Sequence, residues 1–243
     1  MIRSDTAEDP RRRLLIQALA AGLFAAVPPG GRTLAAEVFG TGSPKLPAGR
    51  SIYRLSGKVL VNGFPATIET RIFAGNTVET SKDGEIVFVV GANAMILRGE
   101  SRLELRTEQK DSMIINGLRM LTGKLLSVSR NRPMQIETLA ATLGIRGTGF
   151  YLESEPQQTY FCTCYGSSQV AAKNDGRSRS SVVSTHHDKP LYILASAKPG
   201  QSIRRAPVIN HTDQELVLIE SLVGRKPPFV YPGSNYNTPQ GKY

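Results

Sequence analysis

The chain has 243 residues, of which 30 are Lys or Arg and 20 are Asp or Glu, so its formal net charge is +10. A chain of this length can bury a sizeable core, and its stability therefore does not depend on a disulfide framework. The basic charge invites an anionic partner, but Lys and Arg are scattered and form no dense run, which argues against nucleic acid.

The first 36 residues have the order of an export signal. Arg11, Arg12 and Arg13 precede an apolar run over residues 14–27, which a Pro-Gly turn ends. This run is shorter than the about 20 residues that a membrane-spanning helix needs, so we predict cleavage and release. The arginines followed by two leucines resemble a twin-arginine signal, which implies export of a folded protein; an ordinary secretory signal is the alternative.

The export signal predicts a periplasmic protein, with membrane association only if the signal stays uncleaved. Five of the 30 basic and three of the 20 acidic residues lie in the signal, so the rest of the chain keeps a net charge of +8. We divide the chain into an export signal, a linker, a β domain, a short helix and an extended tail, at residues 1–36, 37–50, 51–205, 206–226 and 227–243.

From residue 51 onward, apolar and β-forming residues alternate with a period close to two. Turns rich in Gly, Asn and Asp separate the runs at a spacing of roughly 8 to 12 residues, which is typical of a sandwich, a roll or a solenoid-like stack. Residues 116–122 fit a helix and a strand equally. The predicted strands cover residues 51–61, 66–73, 85–90, 94–98, 101–107, 121–129, 135–138, 149–154, 159–165, 169–172 and 191–197.

The segment from Ala141 to Tyr151 contains the tripeptide Arg146-Gly147-Thr148, followed by Phe150. Its glycines indicate a backbone that is bent or closely approached. The segment resembles the closing signature of FecR-type domains, Ile/Val-Arg-Gly-Thr-x-Phe. The resemblance extends over about residues 52–172. Weaker matches precede the signature in the family's order, at residues 57–63, 74–80, 82–89 and 123–128.

The FecR resemblance implies an all-β module outside the cytoplasm that senses or relays envelope signals, with an envelope protein or glycan as its partner. Members often carry a cytoplasmic anti-sigma segment and a membrane span. Here no regulatory segment precedes the apolar run, so we expect no sigma-regulating role. For Arg146, Gly147 and Thr148 we expect a structural role, in which arginine caps carbonyls or pairs with a carboxylate and threonine bonds the backbone; ligand binding is the alternative.

Cys162 and Cys164 are the chain's two cysteines and lie in a strand-like run, where residues two apart face the same side. Their Cα atoms would be about 7 Å apart, at the limit for a disulfide. Two such thiolates can bind zinc or copper, and His186 and His187, which follow a polar loop over residues 174–181, are candidate further ligands. Adjacent strand residues face opposite sides, so one histidine at most would face the cysteines. The alternative is that both thiols only fill the core.

The sequence patterns that could indicate catalysis are weaker than the pattern that indicates a metal site. Ser184, His186 and Asp188 have the residue types of a triad, but alternate residues of one strand cannot place nucleophile, base and orienting group in line. Because we find no nucleophile elbow, paired-carboxylate motif or phosphate-binding loop, we predict a protein without enzymatic activity.

The C-terminal part of the chain contains a sequence pattern that is typical of a helix start. Thr212 and Glu215 have the spacing of a capping box, and apolar residues follow at helical spacing. We therefore predict one short amphipathic helix before an extended tail.

Two functions remain: an exported FecR-like binding, sensing or scaffold module, or a periplasmic metal-binding or redox protein that uses Cys-x-Cys with His-His.

Overall fold

Nearly all regular structure in the computed structural model is β. It describes residues 45–108, 112–130 and 132–229, so the predicted export signal with Arg11, Arg12 and Arg13 lies outside the described residues, as does the tail beyond residue 229. One helix, α1 (Asp213–Leu222), follows the last strand of the described chain. The strands are β1 (Ile52–Ser56), β2 (Val59–Val61), β3 (Phe64–Pro65), β4 (Thr77–Thr80), β5 (Glu85–Val90), β6 (Asn93–Leu97), β7 (Arg102–Arg106), β8 (Gly117–Val128), β9 (Met134–Glu137), β10 (Ala141–Ser154), β11 (Gln158–Ala172), β12 (Arg179–Ser184), β13 (Leu191–Leu194) and β14 (Ile203–Arg205).

The predicted all-β fold with one short C-terminal helix is confirmed. The fourteen strands of the described residues form one sheet with the order β14-β13-β11-β10-β9-β8-β7-β4-β2-β3, and β1, β5, β6 and β12 join it off this path. Neighbouring strands are antiparallel except β8 and β9, which pair in parallel. A single branched sheet thus takes the place of the solenoid-like stack that the strand spacing also allowed.

Three long strands connect the two layers of the fold. The first half of β8 pairs with β7 and β9, and its second half pairs with β6 and β10. In the same way, the first half of β11 pairs with β13 and its second half with β12. Each long strand therefore belongs to both layers, whereas the sequence pattern predicted β11 as two separate strands.

The Arg-Gly-Thr segment forms the corner at which β10 passes between layers. The register of β10 and β11 is interrupted between Arg146 and Gly149, and Gly147 has a φ of 59°. Thr148 accepts a hydrogen bond from the Arg146 amide at 3.1 Å and donates one to the Ser167 carbonyl at 2.9 Å. The Arg146 side chain is exposed, so the threonine and not the arginine makes the hydrogen bonds of this corner.

Two apolar clusters lie on the two faces of the sheet. The larger one fills the space between the layers and includes Phe88, Phe150 and Phe161. The smaller one, which we call the α1-covered face, lies on the outside of one layer. It consists of Val87, Val89, Ala94, Ile96, Leu126, Val128, Tyr151, Tyr160, Cys162, Cys164 and Tyr165, with Leu216, Ile219 and Leu222 of α1 packed on it.

Two predictions of local structure are wrong. Residues 66–73 form no strand, because the Thr67 amide donates to the Thr70 hydroxyl at 2.9 Å and the Thr70 amide to the Thr67 carbonyl at 3.0 Å. These local bonds replace a strand ladder. Part of the predicted polar loop over residues 174–181 belongs to β12, whose alternation of small and exposed residues gave no clear signal.

The capping box places the start of α1. The Thr212 hydroxyl accepts from the Glu215 amide at 3.3 Å, and the Glu215 carboxylate accepts from the Thr212 amide at 2.8 Å. This reciprocal pair satisfies two amides that a helix start leaves without partners. The helix is shorter than the predicted range 206–226. Among the described residues, no helix is both long enough and apolar enough to cross a membrane.

Candidate metal centre

Four buried side chains from three separate segments converge beneath α1. Cys162 and Cys164 come from β11, His187 from the loop between β12 and β13, and His211 from the segment between β14 and α1. The sulfur and nitrogen atoms that they offer all lie within 4.8 Å of one another. Each side chain is almost wholly removed from solvent.

Strand alternation presents both cysteines on the α1-covered face. Cys162 pairs with Tyr151 of β10, and Phe161 pairs with Leu191 of β13, so β11 is hydrogen-bonded on both edges here. Phe161 faces the core between the layers, whereas Cys162 and Cys164 face α1. Both are free cysteines. The two thiols therefore point the same way from a rigid central strand.

A tight turn after β12 brings His187 to the cysteines. The Asp188 carboxylate accepts hydrogen bonds from the Thr185 amide at 2.7 Å and from Ser184 Oγ at 3.3 Å, and the backbone donors hold the pKa of Asp188 below its ordinary value. His187 has a φ of 55°, and its amide donates to the Cys164 carbonyl at 2.9 Å. This turn aims the His187 ring at the thiols.

Hydrogen bonds on the far side of each imidazole assign the proton positions. His187 Nε2 lies 3.0 Å from Asp213 Oδ1 and donates to it. His211 Nδ1 lies 2.6 Å from the Ile209 carbonyl oxygen and donates to that group. In the neutral imidazoles the remaining nitrogens, His187 Nδ1 and His211 Nε2, therefore carry lone pairs. These two atoms face each other at 3.0 Å, with Cys162 Sγ 3.5 Å from His187 Nδ1.

Two lone pairs at this distance need a positive centre between them, which is a proton or a metal ion. Burial lowers the pKa of His187, but hydrogen bonds with Asp213 and Cys162 outweigh burial and raise it to about 9. Without a metal, a proton on His187 Nδ1 would fill the gap. A metal ion in its place would be bound by ligands that Asp213 and a carbonyl already orient, which is the usual second layer of a histidine metal site.

The two thiols differ in their affinity for a proton. A hydrogen bond from Cys164 lowers the pKa of Cys162 well below its ordinary value despite burial, and His187 and His211 act in the same direction. Burial raises the pKa of Cys164 well above its ordinary value. The surroundings thus favour the charged form of Cys162 more than that of Cys164, which a metal ion could deprotonate on binding.

The spacing of the ligand atoms suits a tetrahedral ion. With Zn–N of about 2.05 Å and Zn–S of about 2.3 Å, tetrahedral angles give N···N of about 3.3 Å and S···N of about 3.6 Å. The structure has 3.0 Å between the imidazole nitrogens and 3.5 Å between Cys162 Sγ and His187 Nδ1. Two sulfur and two imidazole ligands suit zinc, and copper(I) also accepts such donors.

His186 lies on the other side of Asp213 from the cysteines. Its Nε2 is 3.0 Å and 2.9 Å from the two carboxylate oxygens of Asp213, and its ring packs against Phe229 at 4.7 Å between centroids. His186, His187 and Asp213 also lie close enough to hold an ion. Their polar atoms already satisfy one another by hydrogen bonds, so we assign His186 to holding Asp213 in place.

The structure thus brings together three of the four ligands predicted from the sequence and adds one. Cys162, Cys164 and His187 converge, whereas His186 bonds Asp213 and is not one of the four converging side chains. His211 takes the fourth position, which the sequence pattern did not predict. No local sequence pattern pointed to it, because His211 reaches the site through the packing of α1.

Aromatic and charged groups surround the ligands. The Tyr151 ring stacks on His211 with centroids 4.7 Å apart and planes at 18°. Tyr160 Oη donates to the Pro207 carbonyl at 2.9 Å. Arg98 binds Glu215 at 2.6 Å and also donates to the Asn210 carbonyl. These contacts hold the segment that carries His211.

The residues that could suggest catalysis are arranged unfavourably for it. Ser184 Oγ bonds the Asp188 carboxylate at 3.3 Å, whereas the His186 ring bonds Asp213. Ser184, His186 and Asp188 therefore do not form a hydrogen-bonded triad. Cys162, His187 and Asp213 do have the order of nucleophile, base and orienting carboxylate, joined by contacts through the two His187 ring nitrogens. However, Cys162 is fully buried, so its sulfur is not in contact with solvent.

Comparison with known proteins gives a partial match in fold. Two crystal structures described as a "putative anti-sigma factor" from Parabacteroides distasonis ATCC 8503 match with a TM-score of 0.42, at 15% and 13% sequence identity. Each match covers 54% of this chain and 58% of the matched chain. No family model and no curated protein matches the chain. At this level of similarity no function is carried over, and membership of the FecR family stays a prediction.

Proposed function

We propose that this protein is a non-enzymatic metal-binding module that holds one zinc ion through Cys162, Cys164, His187 and His211. The observation that carries the proposal is the pair of imidazole nitrogens 3.0 Å apart, each fixed as a lone-pair donor by a hydrogen bond on its other nitrogen. Cys162 Sγ and Cys164 Sγ complete four ligand atoms within 4.8 Å of one another.

A site with four buried protein ligands holds an ion without offering it a reactant. Catalytic zinc sites keep one position for water or substrate, whereas structural sites use four protein ligands. All four ligands here are buried, so the ion would join three segments of the chain and carry out no reaction. This supports a protein without enzymatic activity.

The proposed location is the periplasm, with an envelope protein or glycan as partner and a role in binding or sensing. The signal-like order of residues 1–36 and the FecR resemblance support it. The chemistry of the thiols is compatible with such a location, because free cysteines oxidise in an oxidising compartment and metal ligation protects them. The anti-sigma activity of the matched proteins is no part of the proposal.

The test is the metal content of the purified full chain and of matched variants. We expect one zinc ion per chain by elemental analysis, and a zinc titration of the stripped protein that saturates at one equivalent against a competing chelator. Cys164→Ser and His211→Gln should each lose the bound ion. His186→Gln is the matched control, because glutamine can still donate to Asp213, and this variant should keep it.

Cobalt(II) substitution tests the site in the unaltered chain, so its result does not depend on whether a variant folds. The unaltered chain with Co²⁺ should show the strong visible absorption of a tetrahedral site with sulfur ligands, without any mutation. Stoichiometric copper in place of zinc would change the ion and keep the site. Chains that contain no metal, bind none on titration and have two free buried thiols would show that the cysteines only fill the core.

A further inference from the structure

The metal ligand His211 lies at the junction between the sheet and α1. It is two residues before Asp213, which is the first residue of the helix and accepts a hydrogen bond from His187 at 3.0 Å. The segment from Pro207 to His211 connects β14 to this helix. The proposed ion would therefore bind at the point where the helix-bearing segment meets β11.

This connecting segment is held to the sheet by side chains alone. Among the backbone hydrogen bonds of the described chain, none joins residues 207–211 to a strand; just before this segment, the Ala206 amide donates to the carbonyl of Pro190, the residue before β13, at 2.9 Å. Tyr160 Oη and Arg98 bond backbone atoms of the segment, and Asn210 Nδ2 donates to Glu153 of β10 at 2.8 Å. The imidazole of His211 contacts His187 in the loop after β12.

The two ends of α1 are attached in different ways. At the C-terminal end, Glu220 is fully buried and accepts from Tyr165 Oη at 2.6 Å and from Arg225 Nε at 2.5 Å. Leu222 is also buried, and its carbonyl accepts from the Leu46 amide at 3.0 Å. At the N-terminal end the attachment consists of the Arg98–Glu215 pair and the contacts of His211 and Asp213, together with the Tyr160 and Arg98 bonds to the connecting segment and a hydrogen bond from Asn210 Nδ2 to Glu153 at 2.8 Å.

We propose that metal occupancy locks residues 207–215 onto the sheet and that loss of the ion releases them while the C-terminal half of α1 stays docked. This inference rests on the proposed function. With the ion, His211 is bonded to a centre that three other ligands hold. Without it, a single shared proton joins His211 to His187, and one hydrogen bond is a much weaker link than a zinc coordination bond.

Release of this segment would uncover the part of the α1-covered face that lies beneath it. Tyr151 is fully buried and stacks on His211, and Tyr160 is 2% exposed. Both rings would become accessible to solvent. Metal occupancy would thereby control the exposure of these two rings.

The test is hydrogen exchange of the full chain, followed by mass spectrometry, with one equivalent of zinc and after removal of zinc by a chelator. We expect amides of residues 209–215 to exchange about 10-fold faster or more in the stripped form, which is local opening. Amides of residues 218–222 and of β11 should change much less. His211→Gln with zinc should behave like the stripped protein, and Glu155→Gln, which alters an exposed carboxylate in the turn between β10 and β11, like the unaltered one.

Separate outcomes overturn the two proposals. Stoichiometric zinc binding with unchanged exchange in residues 209–215 would overturn the lock and leave the metal site standing. Faster exchange spread evenly over the whole sheet would also overturn the lock, because the ion would then act on global stability. Absence of zinc binding would overturn both. The comparison of loaded and stripped unaltered protein decides the matter even if the His211 variant does not fold.

Discussion

His187 is the residue on which the metal centre depends, because its two ring nitrogens have different tasks. Nε2 donates to Asp213 and thereby fixes the ring and its tautomer, while Nδ1 faces Cys162 Sγ at 3.5 Å and His211 Nε2 at 3.0 Å. The carboxylate on the far side raises the basicity of the ligating nitrogen. Asp213 is therefore a positioning residue for the site.

Replacement of Asp213 by asparagine should weaken metal binding without removing a ligand. We expect Asp213→Asn to lower the zinc affinity by about 10- to 100-fold, the usual effect of losing a carboxylate behind a ligating histidine. Competition with a chromophoric chelator measures it. Glu155→Gln, which alters an exposed carboxylate in the turn between β10 and β11, is the control. Equal affinities in both variants would show that Asp213 does not orient the ligand.

The sequence predicted the cysteines of the site better than its histidines. Strand alternation places Cys162 and Cys164 on one face wherever β11 pairs, so residue spacing was enough. His187 lies in a turn with a φ of 55°, where side chains do not alternate between two faces. The sequence therefore could not show which of His186 and His187 faces the cysteines. His211 is distant in sequence and reaches the site only through the packing of α1, which local patterns do not encode.

Among the elements, β10 and β11 bend together at the corner that contains the Arg-Gly-Thr segment. Gly147 and Gly166 have φ values of 59° and 91°. A Cβ on Gly166 would overlap the carbonyl oxygen of Gly147, whereas a Cβ on Gly147 would have no heavy atom within 4 Å. A side chain should therefore lower the free energy of unfolding more at Gly166 than at Gly147.

This difference predicts a graded effect of alanine at the two corner glycines. Gly147→Ala adds only a left-handed backbone cost, so we expect a loss of about 1–2 kcal/mol in the free energy of unfolding. Gly166→Ala adds a steric overlap worth about 1–3 kcal/mol more. Chemical denaturation measures both, and Gly176→Ala, in an open position without a positive φ, should be nearly neutral. Equal losses at Gly147 and Gly166 would contradict the close approach of the strands.

Asp175 ties together two loops at the end of the sheet. Its carboxylate accepts from Ser178 Oγ at 2.6 Å, the Gly200 amide at 2.7 Å and Ser202 Oγ at 3.0 Å. These donors, Ser178 first among them, lower the pKa of Asp175 to about 2. A lowered folded-state pKa stabilises the protein above the ordinary aspartate pKa and ceases to do so as the pH falls through the folded value.

The hydrogen bonds of Asp175 therefore predict a pH-dependent effect of Asp175→Asn. At pH 6 the variant should melt at a lower temperature than the unaltered protein, because asparagine cannot accept all of these bonds. The difference should shrink as the pH falls below about 4 and be largely lost by about pH 2, where half of the folded protein has a protonated aspartate. Thermal unfolding followed by circular dichroism measures this. A difference that is constant from pH 6 to pH 2 would contradict the role of the charge.

At the scale of the whole molecule, the sequence predicted the class of the fold but not its layering. Period-two runs identified most strands, including β5, β6, β7 and β13. The parallel pairing of β8 with β9 and the passage of β8, β10 and β11 between layers depend on which distant strands meet. Turn residues and alternation carry no information on that choice.

The outer faces of the two layers explain why the site lies where it does. On one layer, exposed ion pairs such as Arg102–Glu79 and Arg106–Glu137 cover the surface and keep it in contact with solvent. On the other layer, α1 closes over an apolar face. Only the covered layer can bury cysteines and histidines together, so the position of the helix determines the position of the metal centre.

The most direct measurement is X-ray absorption at the metal edge of the purified, metal-loaded full chain. The proposed site predicts two sulfur neighbours at about 2.3 Å and two nitrogen neighbours at about 2.0–2.1 Å, with the outer-shell scattering of two imidazoles. His186→Gln should leave this spectrum unchanged, whereas His211→Gln should retain too little metal to give it. A first shell made only of oxygen and nitrogen, without sulfur, would contradict the assignment of Cys162 and Cys164 as ligands.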